Sequence, residues 1–196
     1  MDFIENVGRR SKVKGDTSSI VHVGGQSLNG YEANALYRNA GGGRFVNHGY
    51  VAAVARTEDA RGLGVSDFDN DGDLDLIISN YQRPATLLLN PGTPKNHWLQ
   101  IELEGVTSNR DAVGARVVIR HDGRTQSRQV STTRGYLSGQ SSMLHFGLGT
   151  SDRIELLEVH WPSGLVERVP DVDVDRRVRL VEERARKDLA KTPAGQ

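Results

Sequence analysis

Five aspartates stand at alternate positions between residues 67 and 75, in a segment that contains neither histidine nor cysteine. Two carboxylates ~4 Å apart repel each other by roughly 4 kcal/mol at an effective dielectric constant of about 20. Folding such a cluster into one turn therefore requires a cation. Hard oxygen ligands favour Ca²⁺ over zinc or copper, and Mg²⁺ is less suited because it demands strict octahedral geometry. The segment predicts a calcium-binding loop.

The expected metal ligands are the five aspartates of this segment, Asp67, Asp69, Asp71, Asp73 and Asp75. Asp73 is expected to bind through its backbone carbonyl or its carboxylate, and Gly72 to allow a sharp turn. The loop is not an EF-hand, because Ile78 occupies the twelfth position, where an EF-hand has glutamate. Two alternatives remain open: an acidic turn that binds nothing, and a bound ion that also contacts a ligand.

Short apolar runs separated by glycine and asparagine surround this loop and predict antiparallel strands rather than helices. These runs lie at residues 20–23, 35–37, 44–46, 63–65, 74–78 and 86–89. After a break at residues 90–94, Leu99, Ile101 and Leu103 alternate with polar residues such as Gln100. That period of two is typical of a sheet with one wet face. About seven short strands follow one another there, which predicts a small antiparallel β-sandwich or barrel.

The predicted organisation has four parts within an all-β chain. A flexible leader covers residues 1–18, and a calcium-binding β region covers residues 19–92. A second β domain covers residues 93–182, and a charged tail covers residues 183–196. A charged helix is predicted at residues 182–191, with a thin apolar stripe.

Composition excludes several classes of function. The chain has 25 basic and 25 acidic residues, and this neutral balance argues against a nucleic-acid partner. It has no cysteine, which excludes disulfides and thiol chemistry. No apolar run approaches the roughly 20 residues that span a bilayer, so the protein is not expected to be membrane-embedded. Residues 1–10 show no signal-peptide pattern, and the compartment stays undetermined.

Two groups of motifs resemble known families. Residues 64–76 resemble the FG-GAP repeat, also called a VCBS-type repeat, and residues 34–45 resemble the strand and hairpin after such a loop. Gly42 departs from that pattern, because the family usually has an acidic residue between these glycines. The second group resembles the ASPIC/UnbV domain, at residues 96–99, 108–117, 134–138, 144–149 and 158–164. This combination is found in the cartilage acidic protein-like family.

The resemblance implies a calcium-loaded, propeller-like β region followed by a small β domain, in a secreted or periplasmic protein. Because a propeller typically has about four or more blades and residues 19–92 hold one or two, the chain is expected to be the C-terminal part of a longer protein. The exposed sheet edges are then expected to be covered by the ASPIC/UnbV sheet, by a second copy or by a partner.

The expected function is a calcium-stabilised, non-enzymatic β module that interacts with a protein or a glycan. One alternative is an enzyme or accessory protein of secondary, enediyne-type metabolism, in which Ca²⁺ and the side chains of Arg110, Arg134 and Tyr136 hold an anionic substrate. A cavity lined by those three side chains and open to the metal would favour this alternative, although local turn hydrogen bonds also explain the polar cluster. The other alternative is a structural end-cap of a larger propeller.

Overall fold

A computed structural model describes residues 32–93 and 95–183, apart from the side chain of Arg134. The described chain forms strands, turns and loops without any helix, which confirms the predicted all-β class. No helix in these residues is long and apolar enough to cross a bilayer. The predicted leader, the apolar run at 20–23 and the tail beyond Glu183 lie outside the described residues. The predicted domain limits therefore stay predictions.

The fold divides into two units, the first ending at Asp59 and the second beginning at Ala60. In the first unit, β1 (Tyr37–Gly41) and β2 (Arg44–Asn47) pair as an antiparallel hairpin. The connection needs glycine because Gly42 and Gly43 both adopt positive φ, at 57° and 73°. The second strand confirms the run predicted at 44–46, whereas the first begins at Tyr37, the last residue of the run predicted at 35–37.

The second unit opens with a three-stranded antiparallel sheet in the order β3-β4-β5. The strands are β3 (Ala60–Ser66), β4 (Asp75–Asn80) and β5 (Thr86–Leu88). These strands overlap the apolar runs predicted at 63–65, 74–78 and 86–89. Because β3 ends at Ser66 and β4 begins at Asp75, the aspartate-rich segment is the connection between two paired strands, and their register fixes both of its ends.

Two further sheets of the second unit enclose its main core. Their orders are β11-β6-β14 and β13-β12-β7-β8, and a small β9-β10 hairpin lies apart from them. The strands are β6 (His97–Glu104), β7 (Arg116–His121), β8 (Arg124–Gln129), β9 (Thr133–Gly135), β10 (Ser138–Gly139), β11 (Leu144–Gly149), β12 (Leu156–His160), β13 (Val166–Arg168) and β14 (Arg176–Val181). The turn between β7 and β8 is the Asp122-Gly123 pair, a sequence typical of a two-residue hairpin turn, with φ of 47° and 68°. The described strands do not close into a barrel, so the sandwich alternative is the correct one.

Alternation along the strands builds this core. Leu99, Ile101 and Leu103 of β6 are buried together with Val117 and Ile119 of β7. The opposite face of β6 is not fully wet, however, because Gln100 is only 2% exposed. The prediction of a solvated face was wrong at this position, since the chain preceding β6 covers it.

Two further differences concern the last strand. β14 pairs with β6 in parallel, whereas all strands were predicted to be antiparallel. The two strands are far apart in sequence, and β12 and β13 lie between them in the opposite sheet, so no hairpin constrains their direction. Glu182, predicted to begin a charged helix, instead follows β14 and is buried.

Candidate metal centre

The loop between β3 and β4 is curled by its own side chains. The backbone N–H of Gly72 donates to Asp67 Oδ2 at 3.1 Å, and that of Asp73 donates to Asp71 Oδ1 at 2.9 Å. The N–H of Asp71 donates to Asp69 Oδ1 at 3.3 Å. Gly72 has a φ of 95°, as expected for the residue that allows the turn. The curl turns successive carboxylates toward a common centre.

Three of the predicted ligands converge at this centre. Asp67, Asp69 and Asp71 each offer one carboxylate oxygen, and these oxygens all lie within 4.8 Å of one another. Oδ2 of Asp67 accepts two hydrogen bonds, but its Oδ1 is buried with no hydrogen-bond partner. A buried anionic oxygen without a donor is costly. A divalent cation among the three carboxylates would remove that cost, so these residues fit a metal ion.

The other two predicted ligands differ in their surroundings. Asp75 is fully buried, and its two oxygens accept hydrogen bonds from the backbone N–H groups of Phe68 and Asn90, each at 2.8 Å. It therefore ties the start of the loop to its end and to the segment that follows β5. Asp73 is partly exposed, and desolvation followed by repulsion from Asp71 raises the pKa of its carboxyl. Both effects disfavour the ionised form of this carboxyl, and a cation held by the neighbouring aspartates would oppose them.

Side chains of β6 contact the loop, and a side chain of β14 holds one of them in place. Gln100 Nε2 donates to Asp67 Oδ2 at 2.8 Å, and Gln100 Oε1 accepts two hydrogen bonds from Arg177, at 3.0 and 3.1 Å. The indole of Trp98 lies directly against Gly72. Sequence reasoning missed both Gln100 and Arg177. No local signal distinguishes a buried glutamine in a strand from an exposed one.

Two of the three side chains predicted to bind an anionic substrate, those of Arg110 and Tyr136, are exposed at the surface. The Arg110 side chain is 83% exposed, and its Nε lies 4.0 Å from Glu104 Oε1. Tyr136 is 77% exposed at the turn between β9 and β10. The Arg134 side chain lies outside what the structure describes. A ligand-binding role for these three residues stays a prediction.

A cavity of about 380 Å³ borders the metal loop at Asp67. Neither Arg110 nor Tyr136 lines it; its basic side chains are those of Arg128, His145 and Arg177. Desolvation, followed by the charge of Arg128, lowers the pKa of His145. The cavity thus carries two arginine charges beside one carboxylate, that of Asp67.

Comparison with known proteins identifies the class. The model of the FG-GAP-like repeat matches residues 15–78, and the model named ASPIC and UnbV matches residues 105–187. The chain carries an FG-GAP-like repeat followed by an ASPIC and UnbV domain, which confirms the resemblance inferred from its motifs.

The same comparison finds individual proteins that are similar to this chain. Cartilage acidic protein 1 of Xenopus tropicalis is 36% identical over 118 residues, which cover 57% of this chain and 18% of the relative. The Homo sapiens and Mus musculus proteins of that name are each 34% identical over 112 residues, covering 54% of this chain and 17% of theirs. The chain therefore spans less than a fifth of the length of the curated relatives it matches.

Proposed function

We propose that this β module binds Ca²⁺ in the loop between β3 and β4, and that the calcium-loaded module mediates interaction with a protein or a glycan. The observation that carries the proposal is Asp67 Oδ1, a buried oxygen without a hydrogen-bond partner that belongs to a cluster with Asp69 and Asp71. An all-oxygen set of carboxylates suits Ca²⁺. The ion would neutralise the mutual repulsion of the loop, so its effect is on stability.

The full set of five ligands remains part of the proposal. Asp67, Asp69 and Asp71 are assigned side-chain ligation because their oxygens already converge. Asp73 is assigned to complete the site through a carboxylate or a carbonyl. Asp75 has the weakest claim to direct ligation, because both of its oxygens already accept backbone hydrogen bonds.

The interaction role is supported by the surface of the first sheet of the second unit. Ile77 of β4 and Leu87 of β5 are cross-strand partners, so their side chains share one face of the sheet, and both are exposed. An apolar pair that remains exposed on a sheet face is available for contact with a partner. The β3 edge is partly occupied, since Ser138 Oγ of β10 accepts a hydrogen bond from the backbone N–H of Leu63 at 2.9 Å. Covering of the remaining edge by a second copy stays a prediction.

Calcium is expected to raise the melting temperature of the chain. At a free Ca²⁺ concentration about 100-fold above the dissociation constant, binding to the folded state alone adds about 2.7 kcal/mol of stability. For a chain of this size, that corresponds to a rise of roughly 5–11 °C. Thermal unfolding with Ca²⁺ and with excess EGTA measures the shift, and isothermal titration calorimetry measures the affinity.

Asp71→Asn is expected to remove most of the calcium-dependent shift, because it removes one of the three converging charges. The matched control is Asp122→Asn, which changes an exposed aspartate in the β7–β8 turn and keeps a turn-compatible residue before Gly123. An identical melting temperature in Ca²⁺ and in EGTA for the unmodified chain would refute the calcium proposal. If Ca²⁺ raises the melting temperatures of Asp71→Asn and Asp122→Asn equally, the calcium site does not include Asp71.

A further inference from the structure

The cavity beside the metal loop is formed by parts of the chain that are distant in sequence. Asp67 lies on one side, Gln100 contributes from β6, and Arg128 and Arg177 contribute from β8 and β14. The segment from Gln140 onward completes the lining. Its volume of about 380 Å³ lies within the range of small-molecule sites, which is about 300–1,000 Å³.

The charge of this cavity is positive. Arg128 and Arg177 carry permanent charges, and Asp67 is the sole carboxylate among the described lining residues. Arg177 uses two of its five N–H groups on Gln100 Oε1. Arg128 lies over the Phe146 ring, with its guanidinium carbon 5.5 Å from the ring centre. Planar guanidinium groups bind carboxylate and sulfate oxygens with particular strength.

The remaining lining combines apolar side chains with polar groups that suit a hydroxylated ligand, the apolar ones being those of Val65, Leu74, Met143 and Leu144. Ser66, Gln140 and Ser141 supply hydroxyl and amide groups, which can both donate and accept hydrogen bonds. His145 adds a ring whose Nδ1 is buried and has no hydrogen-bond partner. A purely apolar ligand would leave these groups unpaired, at a cost of about 1–3 kcal/mol for each buried one.

We propose that this cavity binds one acidic sugar unit, with the carboxylate or sulfate of the sugar at Arg128 and Arg177 and its hydroxyls at Gln140, Ser141 and His145. The proposal deepens the glycan part of the proposed function and rests on it, but the cavity residues are distinct from the acidic cluster except at Asp67. The two sources of the anionic group, a uronic acid and a sulfated sugar, share this chemistry.

The inference also predicts coupling to calcium. Asp67 places one negative charge at the cavity wall, and a cation held by Asp67 would neutralise it. An acidic sugar should therefore bind more tightly in Ca²⁺ than in EGTA. By linkage, the sugar should raise the calcium affinity by the same factor.

The test is calorimetric titration of the full chain with glucuronate, glucose 6-sulfate and neutral glucose, in EGTA and in Ca²⁺ at low ionic strength. We expect at least one of the two anions to bind about tenfold or more tightly than glucose, a difference of about 1.4 kcal/mol. Arg177→Gln and Arg128→Gln should each remove most of that preference. Arg124→Gln is the matched control, because Arg124 is an exposed arginine on the same strand as Arg128 and does not line the cavity.

The outcomes separate this inference from the calcium proposal. If neither anion binds more tightly than glucose, or if both cavity variants bind like Arg124→Gln, the sugar site is refuted even where Ca²⁺ raises the melting temperature. If the anions bind, the cavity variants lose them and Ca²⁺ has no effect on melting, the sugar site stands and the calcium proposal fails. Preference for only one anion identifies the source of the charged group.

Discussion

Glu182→Ala is expected to lower the free energy of unfolding by about 4 kcal/mol at neutral pH. Glu182 is only 2% exposed. Its Oε2 accepts hydrogen bonds from the consecutive backbone N–H groups of Val106, Thr107 and Ser108, at 2.7–2.8 Å. Its Oε1 accepts from the hydroxyls of Ser108 and Ser163, at 2.9 and 2.5 Å. Alanine would leave all of these donors without their acceptor.

This carboxylate joins three separate parts of the second unit. It follows β14, whereas its donors lie after β6 and in the turn between β12 and β13. Removing it therefore weakens the attachment of the last described strand to the sandwich. The measurement is urea-induced unfolding followed by circular dichroism. Glu183→Ala is the matched control, since Glu183 is the exposed neighbour.

The pH dependence of the same residue provides an independent check. Burial by itself raises the pKa of Glu182, but the hydrogen bonds from Ser163, Ser108 and Val106 outweigh it and lower the pKa from 4.5 to about 2. A carboxyl whose folded pKa is depressed contributes stability above its unfolded pKa and loses it as pH falls through the folded value. The shift corresponds to roughly 3 kcal/mol, present above pH ~4.5 and lost progressively toward pH ~2.

Glu182→Gln isolates this contribution, because glutamine keeps the size of the side chain but does not titrate. The stability difference between the unmodified chain and Glu182→Gln should stay constant above pH ~5 and shrink by about 2 kcal/mol by pH ~3. A difference that does not change with pH would show that Glu182 is not held as a carboxylate by these donors. A cost for Glu182→Ala equal to that of Glu183→Ala would contradict the anchoring role.

The sequence predicted the elements whose signal is local. The alternation of Leu99, Ile101 and Leu103 identified the buried face of β6 because side chains on a strand alternate between its two faces. The Asp122-Gly123 pair identified a hairpin because few other residue pairs adopt positive φ at adjacent positions. The signal of the acidic loop is also local, because its five mutually repelling carboxylates lie within nine residues.

Features that depend on the partner across space were not predictable in this way. Gln100 and Glu182 read as surface residues because polar side chains usually are, and only the assembled unit shows what covers them. The parallel pairing of β14 with β6 is set by the path of the chain between them and leaves no pattern in either strand. The cavity arginines, Arg128 and Arg177, lie on two different strands, and no spacing rule relates them.

Gly72→Ala is expected to be the most damaging change in the metal loop, with a loss of more than about 3 kcal/mol of stability. Two costs combine at this position. The φ of 95° disfavours any residue with a Cβ atom. A Cβ built on Gly72 would also lie 1.9 Å from Nε1 and 2.1 Å from Cε2 of Trp98, which no packed structure tolerates. Either the loop or the indole must move.

Gly164→Ala separates the two costs. Gly164 has nearly the same φ, 92°, but nothing lies within 4 Å of the Cβ position there. It should therefore cost only about 1–2 kcal/mol, the penalty of the backbone conformation alone. Denaturant unfolding of both variants measures the difference, which reports the contact between the loop and Trp98.

The contact itself is tested by a double-mutant cycle with Trp98→Ala. If the added methyl group acts by displacing the indole, Gly72→Ala should cost about as much in the Trp98→Ala background as Gly164→Ala costs in the unmodified chain. Calcium affinity should fall in Gly72→Ala, since Gly72 donates its N–H to Asp67 Oδ2 from the turn that brings Asp69 and Asp71 to the centre. If Gly72→Ala and Gly164→Ala lower the free energy of unfolding equally in the unmodified chain, the Trp98 side chain moves aside without a measurable loss of stability. In that case the loop would not depend on the strand beneath it, and the support of the metal centre by β6 would rest on Gln100 alone.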